Sequence, residues 1–551
     1  MTRIVECVPN FSEGRDMSII DQIAAEIRAV EGVELLDVDP GKDTNRTVVT
    51  FAGSPEKIGE AAFYAIRKAA ELIDMSKHSG AHARLGATDV CPFVPVSGVT
   101  MEDCVQISRQ VGKRVAEELK IPVYLYAEAA TRPERRRLPD IRRGEYEALP
   151  EKLKQQDFQP DFGVAEFNSR SGATVIGARD FLIAYNVNLN TRSVKLANKI
   201  AKRVREKGYQ TRNPQTGKKE TVPGTLKGVQ GIGWYIDEYN MAQVSVNILN
   251  FRETPLYRVF EECDRFAREF GVRVTGSELV GLIPLDAMVE AGIHFLSQQG
   301  LSTGVSENEL VRVAVQSLGL NELAPFDAEK RIIEYRFRRK GRLASMDTYA
   351  FTEELASDSP APGGGSVSAL MGSLSAGLST MVGNLTSGKR KFKDVKKEMI
   401  ALAEKGQELI AFFNAAIDRD TEAFNRIMDA LSLPRGSDEE IALRQQALDE
   451  ATREAICVPL SVLEKSVTAA ALAATAAEKG NPNSLSDAGV AGLAAAACAR
   501  GAWYNVRINL EGFDDREFAA ETIKQANQWL SRVEESTARI REIMEKAFQE
   551  S

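Results

Sequence analysis

The sequence predicts an α+β protein in which a mixed strand-and-helix part precedes an all-helical part. The chain has 551 residues, and at about 150 residues per domain this length predicts three or four structural units. Up to about residue 320, short runs of alternating apolar residues are separated by amphipathic helical patterns. From residue 347 onward the alternation nearly disappears, and alanine-rich helical patterns follow one another.

The strand-and-helix part contains the same order of elements twice. Its first copy predicts helices at 17–30, 54–73 and 101–120, and strands in RIVECVPNFS, VELLDVD, NRTVVTFAG, DVCPFVPV and PVYLYAEA. The order is β-α-β-β-α-β with one further α-β unit, which is typical of a split-βαβ, ferredoxin-like layer. The second copy runs from the strand FLIAYNVNLN to the strand VRVTGSELVG. We therefore expect two ferredoxin-like subdomains with a cleft between them.

Changes in composition predict where the domains begin and end. Polar residues 132–160 predict an irregular excursion, and the charged segment FDAEKRIIEYRFRRKGRLAS predicts a boundary. Small residues let the later helices pack closely as a bundle, with breaks predicted at 359–365, 433–436, 480–486 and 512–515. We expect a first subdomain at 1–180, a second at 181–326, a linker at 327–346 and a helical domain at 347–551.

Charge and cysteine content argue against several functional classes. The formal net charge of −8 provides no attraction toward nucleic acid. Six cysteines without CxxC spacing indicate reduced, mostly buried thiols in a cytoplasmic protein. The first residues carry charge and lack the apolar core of a signal peptide. The stretch GVAGLAAAACARGAW is short and contains Arg500, which favours a packed helix over a membrane span.

Two of the three histidines of the chain, His78 and His82, lie in the stretch KHSGAHARLGATDVCPFVPV. Imidazole titrates near neutral pH and is the usual proton carrier in catalysis. Ser79 and Gly80 favour a loop, and the apolar run that follows predicts a buried strand. The alternative is a surface turn with two incidental histidines. A metal site formed by both rings at i, i+4 is disfavoured, because Gly80 interrupts the helix that it needs. The third histidine, His294, lies in an amphipathic pattern typical of a packing residue.

Two features of the helical part are candidates for a second site. SPAPGGGS precedes a helix, and glycines there expose free N–H groups, although the alternative is a flexible entry turn. Asp420 begins DTEAFNRIM, and Asp418 is an obvious competitor for any role given to it. A lone acid on a helix is usually only solvated.

Several motifs carry a resemblance to known families. VPNFSEGRD, DVDPGKDTNRTVVTFAG, HSGAHARLGATDVCPFVPV, GATVIGARDFLIAYNVNLN and GSELVGLIP resemble the glutamate formiminotransferase family across residues 1–325. FTEELASDSPAPGGGSVSAL, DTEAFNRIMDALSLP and GNPNSLSDAGVAG resemble the cyclodeaminase family across the remainder. The family fold, two ferredoxin-like subdomains followed by a helical domain, agrees with the predicted order of elements.

The resemblance implies two consecutive reactions on tetrahydrofolate. The formimino group of N-formimino-L-glutamate moves to folate N5 with release of glutamate, and N10 then closes onto the same carbon with release of ammonia. The family needs no metal or redox cofactor beyond tetrahydrofolate, which is polyglutamylated in cells, and it suggests a homo-oligomer. The alternatives are a site that has drifted to formyl transfer, or a noncatalytic folate-binding scaffold.

The resemblance also implies the site residues. His82 matches the catalytic histidine and Asp420 the catalytic aspartate. Asp39, in DVDPGKD after a strand, is a candidate to orient His82, as carboxylates do in triads, although a plain turn residue is the alternative. The folate-binding residues implied are Gly363, Gly364, Gly365 and Ser366 in the helical part, and in the loop that precedes the second copy Gly163, Val164, Ala165, Glu166, Phe167, Asn168, Ser169, Arg170, Ser171 and Gly172.

The arginine-rich segment TRPERRRLPDIRRG allows two interpretations. One is a solvated loop, which is what most charge runs are. The other is a cationic surface that holds the glutamate tail of folate while the intermediate moves between sites.

Overall fold

The computed structural model describes residues 3–42, 44–80, 83–213, 215–338 and 341–550. The chain divides into two compact units. The first unit comprises Met1–Ala291 and Ala314–Arg338, and the second comprises Gly292–Val313 and Arg339–Ser551.

The first unit begins with a seven-stranded sheet. Its strands follow the order β1-β4-β2-β5-β7-β6, with β3 paired to β4. All pairings are antiparallel except those of β7 with β5 and β6. The elements in chain order are β1 (Ile4–Cys7), β2 (Asn10–Phe11), α1 (Met17–Arg28), β3 (Val33–Gly41), β4 (Arg46–Gly53), α2 (Pro55–Leu72), β5 (Thr88–Ser97), α3 (Met101–Leu119), β6 (Val123–Ala127) and β7 (Thr174–Ala178).

The predicted order of strands and helices is confirmed, with two differences. The first predicted strand is divided into β1 and β2, and both of them pair with β4 and β5. β7, in GATVIGA, was not predicted as a strand, although it pairs with β5 and β6. Helices α1, α2 and α3 cover one face of the sheet, where Phe51, Phe63 and Phe93 are fully buried. Burial of such aromatic side chains is the main stabilising contribution to this layer.

The arginine-rich excursion, residues 132–160, was predicted to be irregular. It contains helices, so this prediction is wrong. It forms α4 (Leu138–Arg142) and α5 (Glu145–Lys152), and Ile141 and Leu149 pack with Tyr124 and Val175 of the sheet. The apolar anchors are widely spaced among charged residues, which conceals helices this short from a periodicity search.

A second, four-stranded antiparallel sheet follows in the order β11-β12-β8-β13. This second β-α-β-β-α-β copy is confirmed, and a polar hairpin, β9 with β10, is added to it. The elements are β8 (Ile183–Leu189), α6 (Val194–Val204), β9 (Tyr209–Arg212), β10 (Lys219–Val222), β11 (Val229–Ile236), β12 (Met241–Ile248), α7 (Leu256–Glu269) and β13 (Val274–Val280). The helices after this sheet are α8 (Leu285–Gln298), α9 (Glu307–Ser317), α10 (Ala328–Arg331) and α11 (Ile333–Phe337).

The remainder of the chain is helical, as predicted. Its helices are α12 (Thr348–Leu355), α13 (Gly364–Ser387), α14 (Lys396–Ser432), α15 (Asp438–Lys479), α16 (Leu485–Asn509) and α17 (Arg516–Glu550). Every predicted break includes a boundary between two of these helices, although the breaks at 359–365 and 480–486 each extend two residues into the next helix. Close packing depends on small residues: a Cβ at Gly372 would lie 2.6 Å from the ring of Phe413, and one at Gly501 would lie 2.3 Å from Ser368 Oγ.

The cysteines and the longest apolar helix complete this description. All six cysteines are free, and all but Cys457 are buried, as their spacing predicted. Among the described residues one helix, α15, is long and apolar enough by length and composition to cross a membrane. However, 56% of its most apolar window is buried within the protein, a feature of core helices.

Candidate active sites

The histidine loop connects a short 3₁₀ turn, Met75–Lys77, to β5. His82 and its neighbour Ala81 lie outside the described residues. The described residues on each side show where the loop is held. Gly80 lies so close to the turn after β3 that a Cβ there would be 2.3 Å from the carbonyl oxygen of Thr44. Only glycine permits this approach, so the loop is attached to the β3–β4 connection.

Asn45 holds the start of the loop and was not singled out from the sequence. Its Nδ2 donates to the carbonyl oxygen of Ser79 over 3.0 Å, and its Oδ1 accepts from the backbone N–H of Gly14 over 3.0 Å. The residue is 7% exposed and has a φ of 48°. Asparagine tolerates this left-handed conformation better than most residues. The residue type is therefore the signal in the sequence that could have drawn attention to this position.

His78 has both ring nitrogens occupied by protein groups. Nε2 lies 2.9 Å from the carbonyl oxygen of Asn45, and Nδ1 accepts from Arg84 Nε over 3.2 Å. The ring is therefore neutral, with its proton on Nε2. Burial, chiefly, lowers the pKa of His78, and the nearby Arg84 charge adds to this effect. This histidine anchors the loop, and neither nitrogen is available to a metal ion or to substrate.

Arg84 holds the other end of the loop. It donates to both oxygens of Glu147, over 2.9 and 2.6 Å, and to Glu145 over 3.0 Å. The arginine side chain is 8% exposed, whereas those of Glu145 and Glu147 are 40% and 63% exposed. These bonds raise the pKa of Arg84 and, through its hydrogen bonds, lower that of Glu147. The arginine-rich excursion, through α5, therefore supports the histidine loop.

Asp39 lies within β3, opposite Val48 of β4, and not in the turn that its sequence context suggested. Its side chain is exposed. Asp37 is two residues earlier on the same strand, so that both carboxylates lie on one face of the sheet. Burial, followed by repulsion from Asp39, raises the pKa of Asp37. Arg46 of β4 is near enough for the Asp39 charge to oppose the lowering of its pKa by burial.

The predicted folate loop comes together with the flanks of the histidine loop. The backbone N–H of Met75 donates to Arg170, and that of Ala87 donates to Ser171, each over 2.9 Å. Gly86 and Gly172 form a bridge between these segments. The middle of the loop is open: Val164 is 60% exposed and Phe167 37% exposed. Exposed apolar side chains next to a hydrogen-bonded backbone can pack against the flat face of a ligand.

The helical unit has a cavity of about 170 Å³ at the N-terminus of α13. Gly363 is the N-cap and Gly364 and Gly365 belong to the first turn, whose N–H groups have no partner within the helix. The cavity is lined by Pro360, Ala361, Gly363, Gly364, Gly365, Asp420, Phe424, Ile427, Ala455, Asn505 and Asn509. The sequence predicted the glycines and Asp420 but not the two asparagines, which lie 85 or more positions later.

Asp420 lies against the first turn of α13. Ser366 Oγ donates to its Oδ2 over 3.3 Å, and a Cβ at Gly365 would lie 1.9 Å from its Oδ1. Burial raises the pKa of Asp420, whereas the hydrogen bonds from Ser366 lower it. A buried carboxyl group with a raised pKa is suited to accept and return a proton. Ser366 is itself fully buried, and its hydroxyl also donates to the carbonyl oxygen of Ile417, so its side chain serves Asp420 and does not line the cavity.

Asp418 has a different position. Its carboxylate accepts from the backbone N–H groups of Leu343 and Ala344, over 2.8 and 3.0 Å. A Cβ at Gly341 would lie 2.1 Å from the same carboxylate. Asp418 therefore holds the segment before α12, whereas Asp420, two residues later on α14, lines the cavity.

The described residues contain no cluster of three or more metal-ligating side chains from His, Cys, Asp and Glu. His294 of α8 stacks edge-on with Phe295 at 5.3 Å between ring centroids, and its Nε2 lies 2.9 Å from Gln298 Nε2. These contacts agree with the packing role predicted for it.

Comparison with known proteins covers nearly the whole chain. Family models match the formiminotransferase domain N-terminal subdomain at residues 4–179, the formiminotransferase domain at 184–338, and formiminotransferase-cyclodeaminase at 347–528.

Three curated relatives match different shares of the chain. The chain is 46% identical to the formimidoyltransferase-cyclodeaminase of Dictyostelium discoideum, over 99% of both chains. The glutamate formimidoyltransferase of Streptococcus pyogenes is 44% identical over 54% of this chain and 94% of its own length. The methenyltetrahydrofolate cyclohydrolase of Methylorubrum extorquens is 43% identical over 32% of this chain and 84% of its own length. A continuous match of this identity, spanning the strand-and-helix part and the helical part alike, shows that the chain belongs to the formimidoyltransferase-cyclodeaminase family.

Proposed function

We propose that the chain catalyses two consecutive reactions on tetrahydrofolate. The first moves the formimino group from N-formimino-L-glutamate to N5 and releases glutamate. The second closes 5-formiminotetrahydrofolate to 5,10-methenyltetrahydrofolate and releases ammonia. The match to a bifunctional relative over 99% of both chains carries this proposal.

In the first reaction His82 takes the proton from N5 as this nitrogen attacks the amidine carbon. It then returns the proton to the glutamate nitrogen, whose bond to the same carbon breaks, so that glutamate leaves as the amine. Asp39 holds the ring of His82 through its other nitrogen, as a carboxylate does in a catalytic triad. Residues 163–172 hold the folate. The hydrogen bonds from Met75 and Ala87 to this loop support the proposal, because they join the segment expected to bind folate to the one that carries His82.

In the second reaction Asp420 handles the proton. The formimino group reacts as its amidinium cation, whose terminal nitrogen already carries two hydrogens. The carboxylate of Asp420 takes the proton of N10 as N10 bonds to the formimino carbon, and returns it to that nitrogen, which leaves as ammonia. The sp² carbon of the product is then restored with its positive charge shared by N5 and N10. Two observations support this assignment. Asp420 lines a cavity, whereas the carboxylate of Asp418 is occupied by hydrogen bonds from two backbone N–H groups.

Further properties belong to the same proposal. The substrates are small molecules, tetrahydrofolate with its glutamate tail and formiminoglutamate. The protein works in the cytoplasm as a homo-oligomer, without a cofactor beyond folate.

The test is a complete reaction with purified protein. Formiminoglutamate and tetrahydrofolate are supplied, and glutamate, ammonia and the absorbance of the methenyl product are followed. We expect all three products in equal amounts. Saturable folate binding without any product would indicate a noncatalytic scaffold. Faster turnover with N-formylglutamate than with formiminoglutamate would indicate a drifted transferase site.

The match to a methenyltetrahydrofolate cyclohydrolase favours a second candidate for the helical unit. Such an enzyme adds water to the methenyl carbon, where the proposed reaction expels ammonia. Loss of methenyl absorbance without added ammonia, at a rate similar to that of ring closure, would assign this activity to the helical unit as well.

A further inference from the structure

The two asparagines in the cavity of the helical unit differ in what holds them. Both lie on α16, one turn apart, and both line the cavity together with Asp420. Asn509 Nδ2 donates to the carbonyl oxygen of Ala455 over 2.7 Å. Ala455 is four residues before Pro459 in α15, and proline has no N–H to bond this carbonyl. Asn509 therefore completes the hydrogen bonding of α15.

Asn505, in contrast, does not supply a hydrogen bond that a helix lacks. Its Nδ2 donates over 2.8 Å to the carbonyl oxygen of Gly501, which already accepts the helical N–H of Asn505 within α16. The side-chain bond is thus redundant for the helix, but it sets the orientation of the amide. A carbonyl only accepts and an NH₂ group only donates, so Nδ2 must face Gly501 and Oδ1 must face away.

The orientation matters because Asn505 lies at the first turn of α13. A Cβ at Gly364 would be 3.4 Å from Asn505 Nδ2 and 3.9 Å from Oδ1. Among the described residues, none donates a hydrogen bond to Asn505 Oδ1. Asn505, which lines the cavity together with Asp420, thus carries a neutral acceptor whose orientation is fixed by the bond to Gly501.

We propose that Asn505 Oδ1 accepts a hydrogen bond from the terminal N–H of the formimino group, so that Asn505 selects formimino- over formyl-tetrahydrofolate at this site. The inference rests on the proposed function of the helical unit. A formimino group ends in nitrogen that carries hydrogen, whereas a formyl group ends in oxygen that only accepts. A formyl oxygen would face a second acceptor and leave both unpaired. Sites built to bond a substrate N–H discriminate strongly against analogues that lack it.

The experiment measures two constants on the intact protein. Cyclisation of added 5-formiminotetrahydrofolate gives kcat/KM, and inhibition of that reaction by 5-formyltetrahydrofolate gives an inhibition constant for the same site. The variants are Asn505→Ala, Asn505→Ser and the control Asn527→Ala. Asn527 of α17 also uses its side-chain oxygen as an acceptor, from Trp503 Nε1 over 2.9 Å, but it does not line the cavity.

We expect Asn505→Ala to lower kcat/KM for cyclisation about 10- to 100-fold, the usual effect of losing a hydrogen bond to a charged group. The inhibition constant for 5-formyltetrahydrofolate should stay the same or fall, so the preference for the formimino over the formyl group decreases. Asn505→Ser should decrease this preference further, because the hydroxyl can donate to the formyl oxygen. Asn527→Ala should match the unmodified protein.

If Asn505 had only a structural role, kcat/KM for cyclisation would fall and the inhibition constant for 5-formyltetrahydrofolate would rise together, or neither would change. Either result overturns the inference. The melting transition of the helical unit identifies any variant that fails to fold, and Asn505→Ser then decides in place of Asn505→Ala. If the unmodified protein does not cyclise 5-formiminotetrahydrofolate at all, the proposed function itself fails, and that result is distinct from unchanged discrimination.

Discussion

At the scale of single residues, the neighbours Asp418 and Asp420 show how position on a helix separates two identical side chains. Successive residues of an α-helix are about 100° apart, so two residues separated by one position face nearly opposite sides. Asp418 therefore bonds the backbone of Leu343 and Ala344, while Asp420 lies in the cavity.

We predict that Asp420→Asn blocks ring closure and leaves transfer intact. Loss of a positioned proton carrier typically costs about 10²–10⁴ in rate, so 5-formiminotetrahydrofolate should accumulate while glutamate release continues. The measurement compares methenyl absorbance with released glutamate. Asp418→Asn is the matched control, and it should affect stability more than ring closure. If Asp418→Asn blocks ring closure and Asp420→Asn does not, the assignment of the two residues is reversed.

For the first reaction, we predict that His82→Ala lowers glutamate release about 10²–10⁴-fold. Cyclisation of added 5-formiminotetrahydrofolate should continue at its original rate, because Asp420 lies in the helical unit. His294→Asn changes another histidine, in α8, and serves as control. Loss of both activities in a folded His82→Ala protein would contradict the division of labour.

Glu6 supports a prediction about pH and stability. It is 4% exposed on β1, and burial raises its pKa to about 7, with Arg179 lowering it and Glu334 raising it. Below pH 4.5 both the folded and unfolded states hold the proton. As pH rises from there to about 7, only the folded state keeps it, so the free energy of unfolding falls. The expected loss is about 3 kcal/mol.

Glu6→Gln should remove this loss, because the amide does not titrate. The comparison is the free energy of unfolding of the first unit in both proteins, measured by denaturant unfolding at pH 5 and at pH 8. An equal decrease in the two proteins would show that other groups cause the pH dependence.

At the scale of elements, the arginine-rich excursion combines structural and surface roles. Arg135 pairs with Asp161 over 2.6 Å, and their side chains are 4% and 7% exposed. Arg142 bonds the fully buried Asp89. In contrast, Arg136 and Arg137 are 66% and 78% exposed, and each lies 3.9 Å from a carboxylate. The hypothesis of one cationic surface is therefore wrong for Arg135 and Arg142, whose charges are directed inward.

We predict that Arg135→Ser lowers the free energy of unfolding of the first unit by about 3–5 kcal/mol, the cost of leaving a buried carboxylate without its partner. The double variant Arg136→Ser, Arg137→Ser should change it by no more than about 0.5 kcal/mol, as for most surface substitutions. Thermal or denaturant unfolding checks both values. Equal effects would mean that burial does not distinguish these arginines.

At the scale of the whole molecule, the described residues bring no three metal-ligating side chains together in either unit. Each proposed reaction needs only proton transfers and polar contacts. We predict that protein treated exhaustively with a chelator keeps both activities within about twofold. Loss of either activity, with recovery upon addition of one particular metal ion, would refute this prediction.

The order of strands and helices was determined by the sequence alone, because the spacing of apolar residues is a local property of the chain. The same reasoning explains the misses. The strands β9 and β10 are almost wholly exposed and have no apolar alternation. β7 is buried along its whole length, so it also lacks the alternation of apolar and polar residues. The helices of the arginine-rich excursion are stabilised by partners distant in the sequence, such as Asp161 and Asp89.

For the candidate sites, the sequence predicted the side chains whose chemistry is distinctive: His82, Asp39, Asp420 and the glycines at the start of α13. The tertiary structure decided which side chains support or accompany them. Asn45 and Arg84 hold the histidine loop through bonds to residues 34 and 63 positions away. Asn505 reaches the cavity of Asp420 only because α16 packs on α13 through Gly501. Contacts between distant segments depend on how whole helices and strands pack, and no local pattern of residues encodes them.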